Sequence, residues 1–297
     1  MALSFTPLHP TFAAVSSAIE LRYLADEKSL QLVRDAMAKY AVLVFRQQHF
    51  TGSEQVAFAK RLDGEIHAKT GARALGQNRF GNEALTDISN VAADGEILPY
   101  QDRRRLYGLG NQLWHTDASF ENPRGRYSML MAYVLPSDSP DTQFADTRTA
   151  YDRLTPQIQQ RIAGLQVHHS IAHSRQTLGF EFSAEEANLL PGATHPLVLQ
   201  LPDSGRQALY LASHAEKIIG WTTPEGRLLL TELKELATQP DLVYAHRWKI
   251  GDLVIWDNRA TMHRGRPFDD RSARRELRRV TTLDVAVAER NPASATA

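Results

Sequence analysis

Residues 253–263 read LVIWDNRATMH, and they give the clearest indication of the type of fold. Leu253 to Trp256 is a short apolar run, and Thr261 to His263 follows it after a polar segment. Short apolar runs that are bounded by polar turn residues are typical of buried strands. This part of the chain is therefore predicted to form two strands joined by a turn.

The same pattern recurs on both sides of this segment. Further strands are predicted at 41–45, 86–91, 113–117, 127–135, 165–171, 197–201, 208–211, 243–248 and 277–283. Helices are predicted from the spacing of apolar residues and from capping signals at 29–39, 51–62, 148–162 and 223–239. The polar, Gly-rich segment between Arg73 and Gly110 is predicted to be a long loop. Many short strands with a few flanking helices favour a barrel or sandwich core over alternating βαβ units.

Length and composition are those of an ordinary globular protein. The chain has 297 residues, of which 42% are hydrophobic and 23% are charged. We expect a single domain over residues 1–287 and a disordered tail over residues 288–297, which are small and polar. The 34 basic residues balance the 34 acidic residues, which argues against nucleic acid or an anionic membrane as a partner. We therefore expect a small-molecule partner. We also expect the chain to form a homo-oligomer.

The chain contains no cysteine, and this excludes several kinds of site at once. Disulfides, thiolate nucleophiles, iron–sulfur clusters and Cys-rich zinc sites are all ruled out, so any metal must use His and carboxylate ligands. The first fifteen residues lack the pattern of a signal peptide, and no run of 18 apolar residues occurs. These features predict a cytoplasmic protein with no membrane-spanning segment.

Such a ligand pair occurs in Trp114-His115-Thr116-Asp117. Residues i and i+2 of a strand point to the same face, about 7 Å apart at Cα, so His115 and Asp117 can reach one ion. His263, at the end of a predicted strand, can supply a third ligand. Two histidines and one carboxylate leave open positions on an octahedral ion, which is the arrangement of non-haem iron(II) oxygenases.

The segments around these ligands resemble the taurine dioxygenase and 2,4-dichlorophenoxyacetate dioxygenase family of 2-oxoglutarate-dependent oxygenases. The resemblance runs from about Leu30 to Asp284. It is carried by Asp87-Ile-Ser-Asn-Val91, Gly110-Asn-Gln-Leu-Trp-His-Thr-Asp117, Arg126-Tyr-Ser-Met-Leu130 and Trp256-Asp-Asn-Arg259. These segments are more similar to the phenoxyacetate branch than to the taurine branch. The resemblance implies a mostly β fold with flanking helices and a double-stranded β-helix (jelly-roll) core.

The resemblance also implies the cofactors and the residues that hold them. Fe(II) is expected at His115, Asp117 and His263, with 2-oxoglutarate and O2 as co-substrates. Thr142 matches a threonine that hydrogen-bonds 2-oxoglutarate, Arg279 matches the arginine that pairs with its distal carboxylate, and Arg275 matches a second arginine near that end. Arginine suits a carboxylate in a partly dry pocket because its planar fork donates two parallel hydrogen bonds.

In the phenoxyacetate branch, the expected reaction is hydroxylation of the carbon between the ether oxygen and the carboxylate. The product collapses to a phenol and glyoxylate, while 2-oxoglutarate gives succinate and CO2. The substrate carboxylate then needs a donor near the metal. The candidates are His214 and Lys69, which rank first, followed by His67, Asn111 and Arg73.

Three other functions are compatible with parts of this pattern. An alkylsulfonate or other small-acid hydroxylase shares the iron centre and differs only in its pocket. A non-catalytic barrel that binds a small acid is the second alternative, because a fold does not guarantee a reaction. A nucleic-acid demethylase of related chemistry normally has a basic face, and the balanced charge disfavours it.

Overall fold

The computed structural model describes residues 3–68 and 79–285 of the chain. Its strands are β1 (Phe5–Pro7), β2 (Ala14–Ser16), β3 (Val42–Phe45), β4 (Thr86–Ser89), β5 (Gly125–Val134), β6 (Thr142–Asp146), β7 (Gln166–His169), β8 (Ala193–Pro196), β9 (Val198–Leu201), β10 (Arg206–Leu209), β11 (Ala215–Ile218), β12 (Val243–His246), β13 (Leu253–Asp257), β14 (Thr261–Gly265) and β15 (Glu276–Leu283). Its helices are α1 (Glu27–Tyr40), α2 (Gly52–Asp63), α3 (Arg103–Gly108), α4 (Thr147–Asp152), α5 (Pro156–Ile162), α6 (Ile171–Gln176), α7 (Ala184–Asn188) and α8 (Thr223–Ala237). The fold is mostly β with flanking helices, as predicted. Within these residues, no helix combines the length and apolar character that crossing a membrane requires.

The largest sheet has the strand order β1-β2-β3-β13-β5-β15-β4. Its pairs are antiparallel except for β2 with β3. The strand β13 lies between β3 and β5, and all five of its residues are buried. Successive side chains of a strand point to opposite faces, so Leu253 and Ile255 pack on one side while Val254 and Trp256 pack on the other. Both faces of this sheet are therefore covered.

Helices α1 and α2 cover the first face. The helix α1 begins at the N-cap Asp26 and buries the stripe Leu30, Val33, Ala36 and Met37 against this face. The helix α2 begins with a capping box, in which Thr51 and Glu54 satisfy each other's backbone N–H groups. These caps occupy donors that the first turn of a helix otherwise leaves unpaired, and they fix where each helix starts.

A three-stranded sheet, with the order β12-β6-β14, lies against the second face. Phe144 on β6 packs with Leu130, Val254, Trp256 and Leu277 of the large sheet, and all of these are buried. The two sheets thus enclose an apolar layer. His263 lies on β14, at the border of this layer, so the sheet packing positions the candidate metal ligand.

Three predictions differ in the structure, and the first is that the segment predicted to be a loop contains the helix α3. The helix predicted at 148–162 is two helices, α4 and α5, because Thr155 caps a new helix with Pro156 at its first turn. Proline lacks the N–H that a continuous helix needs and suits the start of a helix instead. The strand predicted at 113–117 is a single bridge between His115 and His263, followed by a turn at Asp117.

Candidate metal centre

His115, Asp117 and His263 lie together, and their ligand atoms are all within 4.8 Å of one another. Nε2 of His115 is 3.7 Å from Oδ1 of Asp117, and Nε2 of His263 is 3.6 Å from Oδ2. These distances are too long for hydrogen bonds, but they suit atoms that bind one ion at roughly 2.0–2.2 Å each. All three side chains are buried.

Backbone and side-chain contacts fix the orientation of His115. Its ring nitrogen Nδ1 is 2.7 Å from the carbonyl oxygen of Leu113 and donates to it, so Nε2 faces Asp117 without its proton. Such an outer contact fixes the tautomer of a metal-binding histidine. The ring of His263 packs against Trp256, with ring centroids 4.6 Å apart, and stacks on Phe144.

A chain of hydrogen bonds orients Asp117. The hydroxyl of Ser128 donates to Oδ2 of Asp117 at 2.8 Å, and Nδ2 of Asn258 donates to the Ser128 oxygen at 2.9 Å. Oδ1 of Asn258 accepts from the backbone N–H of Asp117 at 3.1 Å and from Nε1 of Trp256 at 2.9 Å. The sequence analysis did not single out Ser128 or Asn258, although both belong to the segments that carry the family resemblance.

The surroundings keep the three side chains in the forms that bind a metal. Burial lowers the pKa of His115 to about 4 and that of His263 well below its usual value, so both imidazoles are neutral. Burial alone raises the pKa of Asp117, but the nearby Arg279 and the two histidines bring it down to about 2. Neutral imidazoles and a carboxylate are the states in which these side chains coordinate. The donor set therefore fits a divalent ion such as Fe(II).

A cavity of about 500 Å³ opens in front of these ligands, a size that is typical of small-molecule sites. Its wall includes the three ligands and six other residues that the sequence analysis proposed: His67, Asn111, Thr142, His214, Arg275 and Arg279. Lys69 and Arg73 lie outside the described residues. Five other histidines are not part of the described wall: His168, His169, His173, His195 and His246.

Arg279 on β15 and Arg275, just before this strand, both line the cavity. Arg279 donates to Oδ1 of Asp117. Arg275 is 9% exposed and forms no ion pair with any described residue, and burial lowers its pKa to about 10. Thr142 accepts from Nε1 of Trp248 at 2.9 Å, which leaves its hydroxyl proton for a second partner. A buried cation and a hydroxyl donor that line one cavity are well suited to a carboxylate.

Arg175 is a further cation in the wall, and the sequence analysis missed it. It lies on α6, is 3% exposed and stacks over the ring of Tyr107 at 4.5 Å. Its Nη1 donates to Ser174 at 3.3 Å, and it forms no ion pair with a carboxylate among the described residues. A Cβ atom at Gly110 would lie 2.1 Å from this Nη1, so the glycine leaves the space that the guanidinium fills.

His214 lines the cavity, and only one of its two ring nitrogens forms a hydrogen bond with a described residue. Its Nδ1 is 3.0 Å from Oγ of Ser119, and its ring packs edge-on against His115 and Phe120. Its Nε2 is buried and has no hydrogen-bond partner among the described residues. Burial, and then the charge of Arg175, lowers the pKa of His214 well below its usual value, so the ring is neutral. Its Nε2 is therefore an unpaired polar atom of a residue that lines the cavity.

Comparisons with known proteins agree with this geometry. The sequence pattern of the "Taurine catabolism dioxygenase TauD, TfdA family" matches residues 4–281. The alpha-ketoglutarate-dependent 2,4-dichlorophenoxyacetate dioxygenase of Cupriavidus pinatubonensis is 44% identical, over 97% of this chain and 100% of its own length. The (S)-phenoxypropionate/alpha-ketoglutarate-dioxygenase of Sphingobium herbicidovorans is 34% identical, over 90% of this chain and 91% of its own length.

Solved structures give the same picture. The crystal structure of AAD-2 in complex with Mn(II) and N-oxalylglycine is similar with a TM-score of 0.88 and 39% identity, over 96% of this chain and 98% of that one. A taurine dioxygenase from Burkholderia xenovorans is similar with a TM-score of 0.72 and 28% identity, over 95% of this chain and 90% of that one.

Proposed function

The chain belongs to the taurine catabolism dioxygenase TauD, TfdA family and is a 2-oxoglutarate-dependent dioxygenase, and we propose that it acts on an aryloxyacetate such as 2,4-dichlorophenoxyacetate. The products are a phenol, glyoxylate, succinate and CO2. Support comes from the relative with 44% identity over nearly the whole chain, whose name gives this substrate. The substrate carboxylate and the co-substrate each require a cation in the cavity.

We assign Fe(II) to His115, Asp117 and His263. When bound, the iron together with 2-oxoglutarate and O2 supplies the oxidant for a strong C–H bond. The protein residues hold the three donors in one geometry, because the bridge between His115 and His263 and the contact of Ser128 with Asp117 restrict each side chain. No acid–base pair is needed from the protein.

The family resemblance gave the distal carboxylate of 2-oxoglutarate to Arg279, but Arg279 already donates to Asp117, so we assign this carboxylate to Arg275 and Thr142 instead. Arg275 supports this role because it is buried, is charged and has no carboxylate partner among the described residues. Arg279 is proposed to serve the same co-substrate from a different position. Because it already donates to Asp117, it lies beside the metal ligands and favours negative charge at the chelating end of the acid.

We assign the substrate carboxylate to the part of the wall that contains Arg175 and His214. Asn111, His67 and Lys69 are proposed to border the same molecule. One observation carries the whole proposal: two buried arginines, Arg175 and Arg275, lack carboxylate partners among the described residues and share a cavity with the candidate iron ligands. A buried charge is costly unless it is paired, so this cavity suits two acids at once.

The residues of the cavity wall then orient the bound acid and exclude water from it. A carboxylate held by Arg175 and His214 places the neighbouring carbon toward the iron ligands, and positioning of this kind accounts for much of enzymatic rate enhancement. Hydroxylation of that carbon gives a hemiacetal, which breaks its bond to the aryl oxygen and releases the phenol and glyoxylate. Loss of either arginine is expected to affect one acid more than the other.

We further propose a double-stranded β-helix core within one domain over residues 1–287. The two facing sheets and their common apolar layer support this core. The cytoplasmic location and the homo-oligomeric state stay predictions, and so does the disorder of residues 288–297, which lie outside the described residues.

Substrate-dependent succinate formation tests the proposal. The Fe(II) protein, reconstituted without oxygen, is given 2-oxoglutarate, O2 and one acid from a panel of aryloxyacetates, aryloxypropionates and alkylsulfonates. We expect aryloxyacetates to give succinate, phenol and glyoxylate in equal amounts, and taurine to be poor. Rapid sulfite release from taurine without phenol from any aryloxy acid would show a sulfonate hydroxylase instead. Binding of an acid without succinate from any panel member would show a non-catalytic protein.

A further inference from the structure

The hydroxyl group of Ser119 lies between two buried imidazole rings. Its Oγ is 3.0 Å from Nδ1 of His214 and 3.1 Å from Nδ1 of His169. The serine and both histidines are at most 2% exposed. His214 borders the cavity, whereas His169 lies behind it, against the rings of His195 and Tyr210.

A hydroxyl group has one proton, so it can donate to only one of the two rings. If both rings donated to the serine oxygen, the buried hydroxyl proton would have no acceptor among the described residues. One ring therefore accepts from the hydroxyl group, and the other donates its Nδ1–H to the serine oxygen. Burial lowers the pKa of His169 to about 3, so this ring is neutral and carries one proton. For two neutral rings, only two arrangements remain. Either His169 donates and His214 accepts, or the reverse.

The two arrangements differ in where they leave an unpaired N–H group. If His214 donates through Nδ1, then His169 carries its proton on Nε2, which is buried and has no partner among the described residues. If His169 donates, its Nε2 has only a lone pair, and the unpaired N–H belongs to Nε2 of His214, a residue that lines the cavity. Buried N–H groups without partners are rarer than buried acceptors without partners. The second arrangement is therefore favoured.

We infer that Ser119 and His169 are positioning residues that hold the neutral ring of His214 with its proton on Nε2, as a hydrogen-bond donor to the carboxylate of the bound acid. This inference rests on the proposed function for the identity of the acid, but the tautomer itself does not depend on it. An N–H fixed in this way can donate to a carboxylate oxygen but cannot pair with another hydrogen-bond donor. His214 and Arg175 then form one anion-binding wall.

The tautomer can be measured directly in the full-length protein loaded with Zn(II) and 2-oxoglutarate, because zinc is diamagnetic. Two-bond proton–nitrogen correlation spectra of protein labelled with ¹⁵N-histidine distinguish a proton on Nε2 from one on Nδ1. The signals of His214 are those that disappear in His214→Gln. We expect the proton on Nε2 of His214 and on Nδ1 of His169. A proton on Nδ1 of His214 would overturn the inference.

Variants of the two positioning residues test the link. Ser119→Ala should shift the His214 signals toward the Nδ1–H form and raise KM for 2,4-dichlorophenoxyacetate roughly tenfold, with KM for 2-oxoglutarate unchanged. His169→Asn keeps a donor near the position of Nδ1 and should preserve the Nε2–H form, whereas His169→Phe should lose it. Unchanged His214 signals in both Ser119→Ala and His169→Phe would contradict the inference.

The hydrogen bonds that run from His169 through Ser119 to His214 are called the relay below. The His214→Gln variant distinguishes loss of this relay from general damage to the fold. The amide nitrogen of glutamine lies near the position of Nε2 and donates without help from Ser119. Adding Ser119→Ala to His214→Gln should therefore raise KM no further, which is a non-additive result. An additional loss equal to that in the wild-type background would count against the relay. If the tautomer is as inferred but no aryloxyacetate is turned over, the relay is supported and the proposed substrate is wrong.

Discussion

His115 and His263 are paired through their backbones: each N–H donates to the carbonyl oxygen of the other, at 2.9 and 2.8 Å. Their imidazole rings lie on the same side of this pair, with centroids 4.1 Å apart. Because the backbone pairing is part of the sheet packing, the two nitrogen donors are held together by the fold and not only by the metal. Such preorganisation is what a precise metal site requires.

This arrangement predicts that ligand variants lose the metal but keep the fold. His263→Ala and Asp117→Ala each remove one of three donors, so we expect loss of bound iron and of substrate-dependent succinate, with little change in the circular dichroism spectrum. Metal content by mass spectrometry and succinate by chromatography are the measurements. The exposed His49 supplies a matched control, since His49→Ala should keep both. Full activity in either ligand variant would exclude the assigned iron site.

The hydrogen bond from Ser128 to Asp117 makes a subtler prediction. Ser128→Ala leaves all three ligands in place but removes the donor to Oδ2, and outer contacts of this kind typically contribute about 10–100-fold to metal affinity. We therefore expect weaker Fe(II) binding, measured by titration without oxygen, and recovery of activity at high iron concentration. Ser53→Ala on the exposed part of α2 is the control. An unchanged iron affinity would mean that Asn258 and the fold orient Asp117 sufficiently.

The sequence predicted the metal ligands better than the pocket, for a physical reason. Residue type and the family resemblance indicated the chemistry of His115, Asp117 and His263, although residues 113–117 form a bridge and a turn and not the predicted strand. Arg175 and Gly110 carry no such signal. Their relationship depends on how α6 packs against the turn before His115, and such a contact between distant segments is not encoded in any local pattern.

The fold, too, was predicted in some parts and not in others. The apolar strands at the centre of the large sheet, such as β13, were predicted because both faces are buried. The short strands β1 and β2 and the short helices α6 and α7 were not, since three to six residues give too little periodicity. The single helix expected at 148–162 was wrong because Pro156 begins a new helix.

Substitutions of Arg275 and Arg279, the two arginines assigned to 2-oxoglutarate, should have different effects on 2-oxoglutarate affinity and on iron binding. Arg275→Ala removes a buried cation that has no carboxylate partner among the described residues, so we expect KM for 2-oxoglutarate to rise by roughly tenfold to a hundredfold. Arg279→Ala removes the donor to Asp117, so we expect weaker iron binding in addition to any loss of 2-oxoglutarate affinity. Titrations of Fe(II) and of 2-oxoglutarate separate the two effects. If Arg275→Ala weakened iron binding and Arg279→Ala affected only 2-oxoglutarate, the roles assigned to the two arginines would have to be exchanged.

Arg175 predicts the substrate side of the pocket. Arg175→Met keeps a long apolar side chain but removes the charge, so we expect KM for the aryloxyacetate to rise roughly tenfold to a hundredfold while KM for 2-oxoglutarate changes little. Steady-state succinate formation at varied concentrations of each acid gives both constants. A larger effect on 2-oxoglutarate would place Arg175 on the co-substrate side instead.

Gly110 offers an independent test of the same position without touching a charge. A Cβ atom there would lie 2.1 Å from Nη1 and 2.2 Å from Cζ of Arg175, so Gly110→Ala must displace the guanidinium. The backbone of Gly110 needs no left-handed conformation, and alanine adds no strain of its own. We therefore expect Gly110→Ala to reproduce the kinetic effect of Arg175→Met, and the double variant to be no worse than either single one. Gly108→Ala is the control, because a Cβ atom there meets nothing within 4 Å. If Gly110→Ala and Gly108→Ala had the same small effect on the KM of the aryloxyacetate, Arg175 would not be held where the substrate carboxylate needs it.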